Sequence, residues 1–105
     1  MGIDRRRHRL FVTNHTEYHL RADEVVGVRD LESGAWMRDH PAVRLRAVNL
    51  PPRGHDHAWV GRRLQFIGMG TDVVTSPVVA VGRPEREVVE HYVSQARAGT
   101  IVAAA

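Results

Sequence analysis

Hydrophobic and polar positions alternate along most of this chain, most clearly between Gly61 and Val81. Leu64 and Phe66 alternate with Arg63 and Gln65, the period of a half-buried strand. Gly68-Met69-Gly70-Thr71 follows, and then a run rich in Val and Thr, residues that suit a pleated surface. Glycine supplies the positive φ of a tight hairpin turn, so this stretch predicts a central antiparallel hairpin. Pro77 cannot donate to a ladder. The second strand of the hairpin is therefore expected at a sheet edge, or bent at that point.

The same alternation extends towards the N-terminus. Leu10, Val12, Tyr18 and Leu20 share one parity, and Phe11, Thr13, His15, Glu17 and His19 the other. One long strand fits this pattern, as do two strands joined by a bend near Asn14-His15, since Asn is a turn former. Arg21 to Glu24 reads as a polar turn and Val25 to Leu31 as the next strand. Glu32-Ser33-Gly34 closes a hairpin onto Ala35 to Arg38, and Val43 to Ala47 alternates as a strand with one wet face. Residues 49–57 form the clearest loop, because Pro51-Pro52 and Gly54 do not belong inside a ladder.

Helical periodicity is confined to residues 84–98. Pro84 suits the first helical position, Glu85 and Glu87 complement the positive end of the dipole, and Gly99 ends the segment. Val88, Val89, Tyr92, Val93 and Ala96 make its apolar stripe. The predicted fold is mainly β: a small, partly open antiparallel barrel or sandwich of about five to seven strands with one C-terminal α-helix. A basic arm over residues 1–9 precedes a single domain over 10–99, and residues 100–105 form a tail.

A chain of 105 residues with 43% hydrophobic content can bury one core but not two ordinary ones. Its apolar runs are too short to span a membrane, and no apolar segment follows the basic start, so a cytoplasmic protein is expected. The chain has no cysteine, which excludes disulfides, thiol catalysis and Cys-ligated zinc. All 15 basic residues are arginine. Arg5, Arg6, Arg7 and Arg9 stand with one acid, Asp4, in the first nine residues; the remainder is neutral in sum. The formal charge of +3 thus resides in the arm. A nucleic-acid binder needs a basic face on its folded body, so nucleic acid is not an expected partner.

Seven histidines raise the question of metal. His55-Asp56-His57 would point two imidazoles the same way on extended backbone, as two metal ligands could, with a third from His40, His15 or His19. His15, Glu17 and His19 would share a face of a single long strand and could bind metal or move protons, although wet cross-strand pairs use the same residue types. Nothing in the sequence places a base or an oxyanion hole near Ser76. Gly68-X-Gly70 precedes a strand, whereas a phosphate-cradling glycine loop opens a helix.

Arg5 and Arg9 have the spacing R-X-X-X-R ahead of an all-β body with a helix at its end. In this organisation the chain resembles PilZ domains, small β-barrels that bind cyclic di-GMP. The resemblance implies that the arginine arm clamps phosphates and guanines, which planar guanidinium does by forked bonding and stacking. The second PilZ motif, Asp/Asn-X-Ser-X-X-Gly, meets Glu32 and Ala35 at its serine and glycine positions when aligned on Asp30.

Together these features predict a non-catalytic binding or protein-interaction module without a cofactor. The alternatives are a PilZ-like cyclic-dinucleotide receptor using Arg5 and Arg9, and a metal-binding enzyme using His55 and His57. An anionic small ligand is one expected partner. A second copy of the chain is another, because Val73, Val74, Val78, Val79 and Val81 make the run from Asp72 apolar on both parities.

Overall fold

A computed structural model describes residues 8–68, 70–85 and 87–89 of the chain. It contains seven strands: β1 (His8–Val12), β2 (Thr16–Arg21), β3 (Glu24–Asp30), β4 (Arg46–Ala47), β5 (Arg63–Gly68), β6 (Thr71–Pro77) and β7 (Ala80–Gly82). They form one sheet in the order β6-β5-β4-β3-β2-β1-β7, and every strand pairing is antiparallel. β6 and β7 end the ladder on opposite sides, yet only Val78 and Val79 separate them in sequence. The sheet must therefore curl until one run of chain serves both edges. Val78 makes a parallel bridge to Val60, and the Val79 N–H donates to the Val12 carbonyl at 2.7 Å. The result is the mainly β, partly open barrel that the alternation predicts, with the bend placed after Pro77.

The N-terminal alternation divides at Asn14-His15 into β1 and β2, the second of the two arrangements the pattern allows. Val12 pairs with Glu17 and Phe11 with Tyr18, so even positions of β1 face odd positions of β2. Phe11, Tyr18 and Leu20 consequently enter the core, while Leu10 and Val12 share the outer face with Glu17 and His19. The single-parity set of Leu10, Val12, Tyr18 and Leu20 is split by the turn. Val25 and Val28 of β3, Leu64 and Phe66 of β5, and Val78 complete the central core with Ala42 and Leu45.

Only Arg46–Ala47 of the expected 43–47 strand is strand. Successive turns, with Val43 N–H donating to the His40 carbonyl and Leu45 N–H to the Ala42 carbonyl, replace its first half. Arg44 takes a φ of 72°, which no strand residue adopts. Turning here sends Ala42 and Leu45 inward to the core, which alternation alone could not do.

The hairpin of β5 and β6 is present, and its two glycines have different reasons. Gly70 has a φ of 75° and makes the turn. At Gly68 a Cβ would meet a terminal methyl of Leu45, which would have to shift to make room. Further along, a bulge sets Thr75 and Ser76 opposite Leu64, since Gln65 pairs with Val74 but Arg63 with Pro77.

After Pro84 the Val89 N–H donates to the Glu85 carbonyl at 3.1 Å, the i→i−4 bond that opens a helix, and Val89 is fully buried. The rest of the predicted 84–98 helix, the arm with Arg5, and the tail over 100–105 lie outside the described residues. Among the described residues no helix is long and apolar enough to cross a membrane.

Candidate functional site

β1 begins at His8, earlier than the pattern predicts, so Arg9 belongs to the sheet. It stands beside the end of β7, because Leu10 pairs with Gly82. The loop before β5 folds over this corner through a short 3₁₀ turn, Asp56–Trp59, which packs near β7. Between them lies an open cleft of about 410 Å³. Its charged and titratable lining is Arg9, Arg53 and Arg83 with His8, Asp56 and His57, and Gly54, Val81 and Gly82 supply the remainder.

Each arginine arrives by a different local route. Arg53 occupies the turn Pro52-Arg53-Gly54-His55, closed by the His55 N–H donating to the Pro52 carbonyl at 3.0 Å. Gly54 adopts a φ of 83° there, the positive value that the third position of a type II turn requires. Arg83 follows Gly82 at the end of β7, ahead of buried Pro84. Both Arg53 and Arg83 are exposed. Arg9 is different, with its side chain only 12% exposed and its Nε 3.6 Å from Asp56 Oδ1. That oxygen is buried and accepts no hydrogen bond among the described residues, so the ion pair is what offsets its desolvation.

Three arginines and one carboxylate thus line the cleft. Arg9 is held in place by Asp56, whereas Arg53 and Arg83 make no ion pair with any described carboxylate. A concave site with an excess of one charge focuses its field on an incoming counter-ion. Guanidinium offers a planar fork of donors that matches phosphate or carboxylate oxygens. The chemistry this cleft supports is recognition of an anion.

The histidine pair falls at the rim. Residues 56–59 are a 3₁₀ turn rather than extended backbone, so the two-residue spacing of His55 and His57 does not align their rings. Both are exposed, and His57 lines the cleft. Among the described residues no group of three or more His, Asp or Glu side chains is placed to hold a metal ion.

The second histidine set separates at the bend. His15 is exposed at the turn, while Glu17 and His19 share the outer face of β2. The His19 Nε2–H donates to Glu17 at 3.0 Å, and the imidazole is 2% exposed with its ring 5.0 Å from that of Trp36. Burial pushes the His19 pKa below its ordinary value, against the opposing effect of the Glu17 carboxylate. The Arg29 guanidinium lies over Trp36, 5.5 Å from its ring centre. A ring this enclosed serves the packing of the outer face.

Asp30, where the second PilZ-like motif would begin, closes a turn of its own. Its carboxylate accepts from the Ser33 N–H at 2.8 Å and from the Ser33 hydroxyl at 2.7 Å, which holds its pKa down. Thr75 is also accounted for structurally: its Oγ1 accepts from the Leu64 N–H and donates to the Ser76 carbonyl. Sequence reasoning found Arg9 and His57 of the cleft but not Arg53, Arg83 or Asp56 as its partners. Comparison with protein-family models, with curated proteins and with solved structures finds no match to this chain.

Proposed function

We propose that this domain is a non-catalytic binding module whose ligand is an anion carrying at least two negative charges, such as a pyrophosphate or a phosphodiester. The observation that carries this reading is the convergence of Arg9, Arg53 and Arg83 on one cleft with a single opposing carboxylate, Asp56. Arg9 anchors the floor in a fixed pose, and the two exposed arginines close on the ligand from the 52–55 turn and from the end of β7. His57, at the rim, adds a ring N–H donor.

A cyclic dinucleotide is the ligand that the Arg5–Arg9 resemblance implies, and it falls within this class. The ladder argues for the wider class. Arg9 pairs with Leu20, which pairs with Val25, whereas Asp30 lies five residues further along β3, roughly 17 Å away. The remnant of the second PilZ-like motif therefore does not face the same ligand as Arg9.

Calorimetric titration with pyrophosphate, and separately with cyclic di-GMP, tests the proposal. Binding should weaken as salt rises, and Arg53→Ala with Arg83→Ala should weaken it by about ten-fold or more, each charged contact being worth roughly 1.5–3 kcal/mol. Both side chains are exposed, so the double variant should keep its melting temperature. Absence of heat and of any melting shift with both ligands at millimolar concentration would remove this function.

A further inference from the structure

β6 is the outer strand of the β4-β5-β6 side of the sheet, and its hydrogen-bonding pattern can be worked out residue by residue. The Gln65 carbonyl accepts from the Val48 N–H at 3.0 Å, and the Gln65 N–H donates to Asn49 Oδ1 at 2.9 Å. Both backbone groups of Gln65 therefore point away from β6. In an antiparallel ladder the residue opposite, Val74, must then turn its own N–H and C=O away from β5. Asp72, opposite Ile67 and two residues earlier, does the same. These groups face an edge that pairs with no other strand among the described residues.

Several features leave that edge open to pairing. Val74 is 60% exposed, and Thr71, Asp72 and Ser76 are exposed beside it. From Thr71 to Ser76 the strand carries no proline and one charge, whereas protected edges carry several such blocks. The bulge and Pro77 blunt only its far end.

We infer that this edge pairs antiparallel with β6 of a second copy of the chain, about a two-fold axis at Val74. At that register Val74 of each copy donates its N–H to, and accepts through its C=O from, the other Val74. Asp72 then meets Ser76, so the strand's one charge never meets its own copy. Arg63, exposed, paired with Pro77 and donating its Nη1–H to the Thr75 carbonyl at 3.2 Å, lies one strand beyond Ser76. Each Asp72 thus comes within about two strand spacings, roughly 10 Å, of the other copy's Arg63, inside the combined reach of the two side chains. The edge is self-complementary in hydrogen bonds at Val74 and in charge at Asp72. A closed two-fold dimer is the assembly such an edge makes.

Sedimentation equilibrium of the full chain across micromolar to submillimolar concentrations should give a dimer. Val74→Lys, which sets two ammonium groups face to face at the axis, should weaken it by about ten-fold or more. Asp72→Arg should weaken it as well by opposing the other copy's Arg63, and it reads the same register should V74K fail to fold. Leu31→Lys, on an exposed residue away from β6, should leave the dimer intact. A single-chain mass at every concentration overturns the inference. So does a dimer unmoved by folded V74K and D72R, or one that L31K weakens equally.

Discussion

Thr75→Val is the substitution that most sharply separates the hydrogen-bond account of the β5–β6 hairpin from one based on strand preference. The bulge leaves the buried Leu64 N–H without a ladder carbonyl and gives it the Thr75 hydroxyl at 3.0 Å instead. Valine has nearly the shape of threonine, so no cavity opens, but the N–H loses its acceptor in a place where both residues are buried. An unsatisfied buried donor costs about 1–3 kcal/mol, and the lost bond from the hydroxyl to the Ser76 carbonyl adds to it. Thr75→Ser keeps both bonds and loses one buried methyl, about 0.8 kcal/mol. For a domain of this size the expected fall in melting temperature is roughly 10–20 °C for valine and about 5 °C for serine. Strand preference and burial predict the reverse order, since valine is the better strand former and the more apolar residue. Urea and thermal unfolding of both variants provide the assay. A Thr75→Val protein as stable as Thr75→Ser would mean that Leu64 finds another acceptor and that the bulge is not held by this side chain.

Further predictions follow from the same contacts. Val89→Asp buries an unpaired charge where Val89 is fully enclosed and should cost roughly 3 kcal/mol or more; an unchanged melting temperature would refute its docking. Acidification should destabilise the fold through His19 and His40, both held below their ordinary value of 6.5 by burial. The unfolded chain takes up these protons first, so stability is fully present above the unfolded value and falls as pH drops below about 6.5 towards the folded values. Urea midpoints that stay level from pH 8 to pH 5 would contradict this.

The parts of the fold that depend on local pattern were legible in the sequence. Leu64 and Phe66 announce β5 by alternation, Gly70 announces its turn, and Val89 announces one buried position. What the sequence hid depends on how distant segments meet. The offset between Leu10-Val12 and Tyr18-Leu20 comes from the turn at Asn14-His15, which exchanges the faces of two strands that look continuous. The Val43 to Leu45 alternation reads as strand, but successive turns bury Ala42 and Leu45, a spacing of three that no strand pattern shows. Arg53 and Arg83 are separated by thirty residues of sequence and meet Arg9 only because β7 returns to β1 and the 52–59 segment folds over the corner. No local signal marks them. Gly54 beside Arg53 was a hint of a turn, but it does not tell which face the arginine joins.

Anion binding at the Arg9–Arg53–Arg83 corner is tested residue by residue in an NMR titration of the ¹⁵N-labelled chain with pyrophosphate. Saturable backbone shifts are expected at Arg9, Arg53, Gly54, His57, Gly82 and Arg83, with the Asp30–Ala35 turn at the other end of β3 unmoved. Shifts that never saturate, or that centre on any surface other than this cleft, would contradict it.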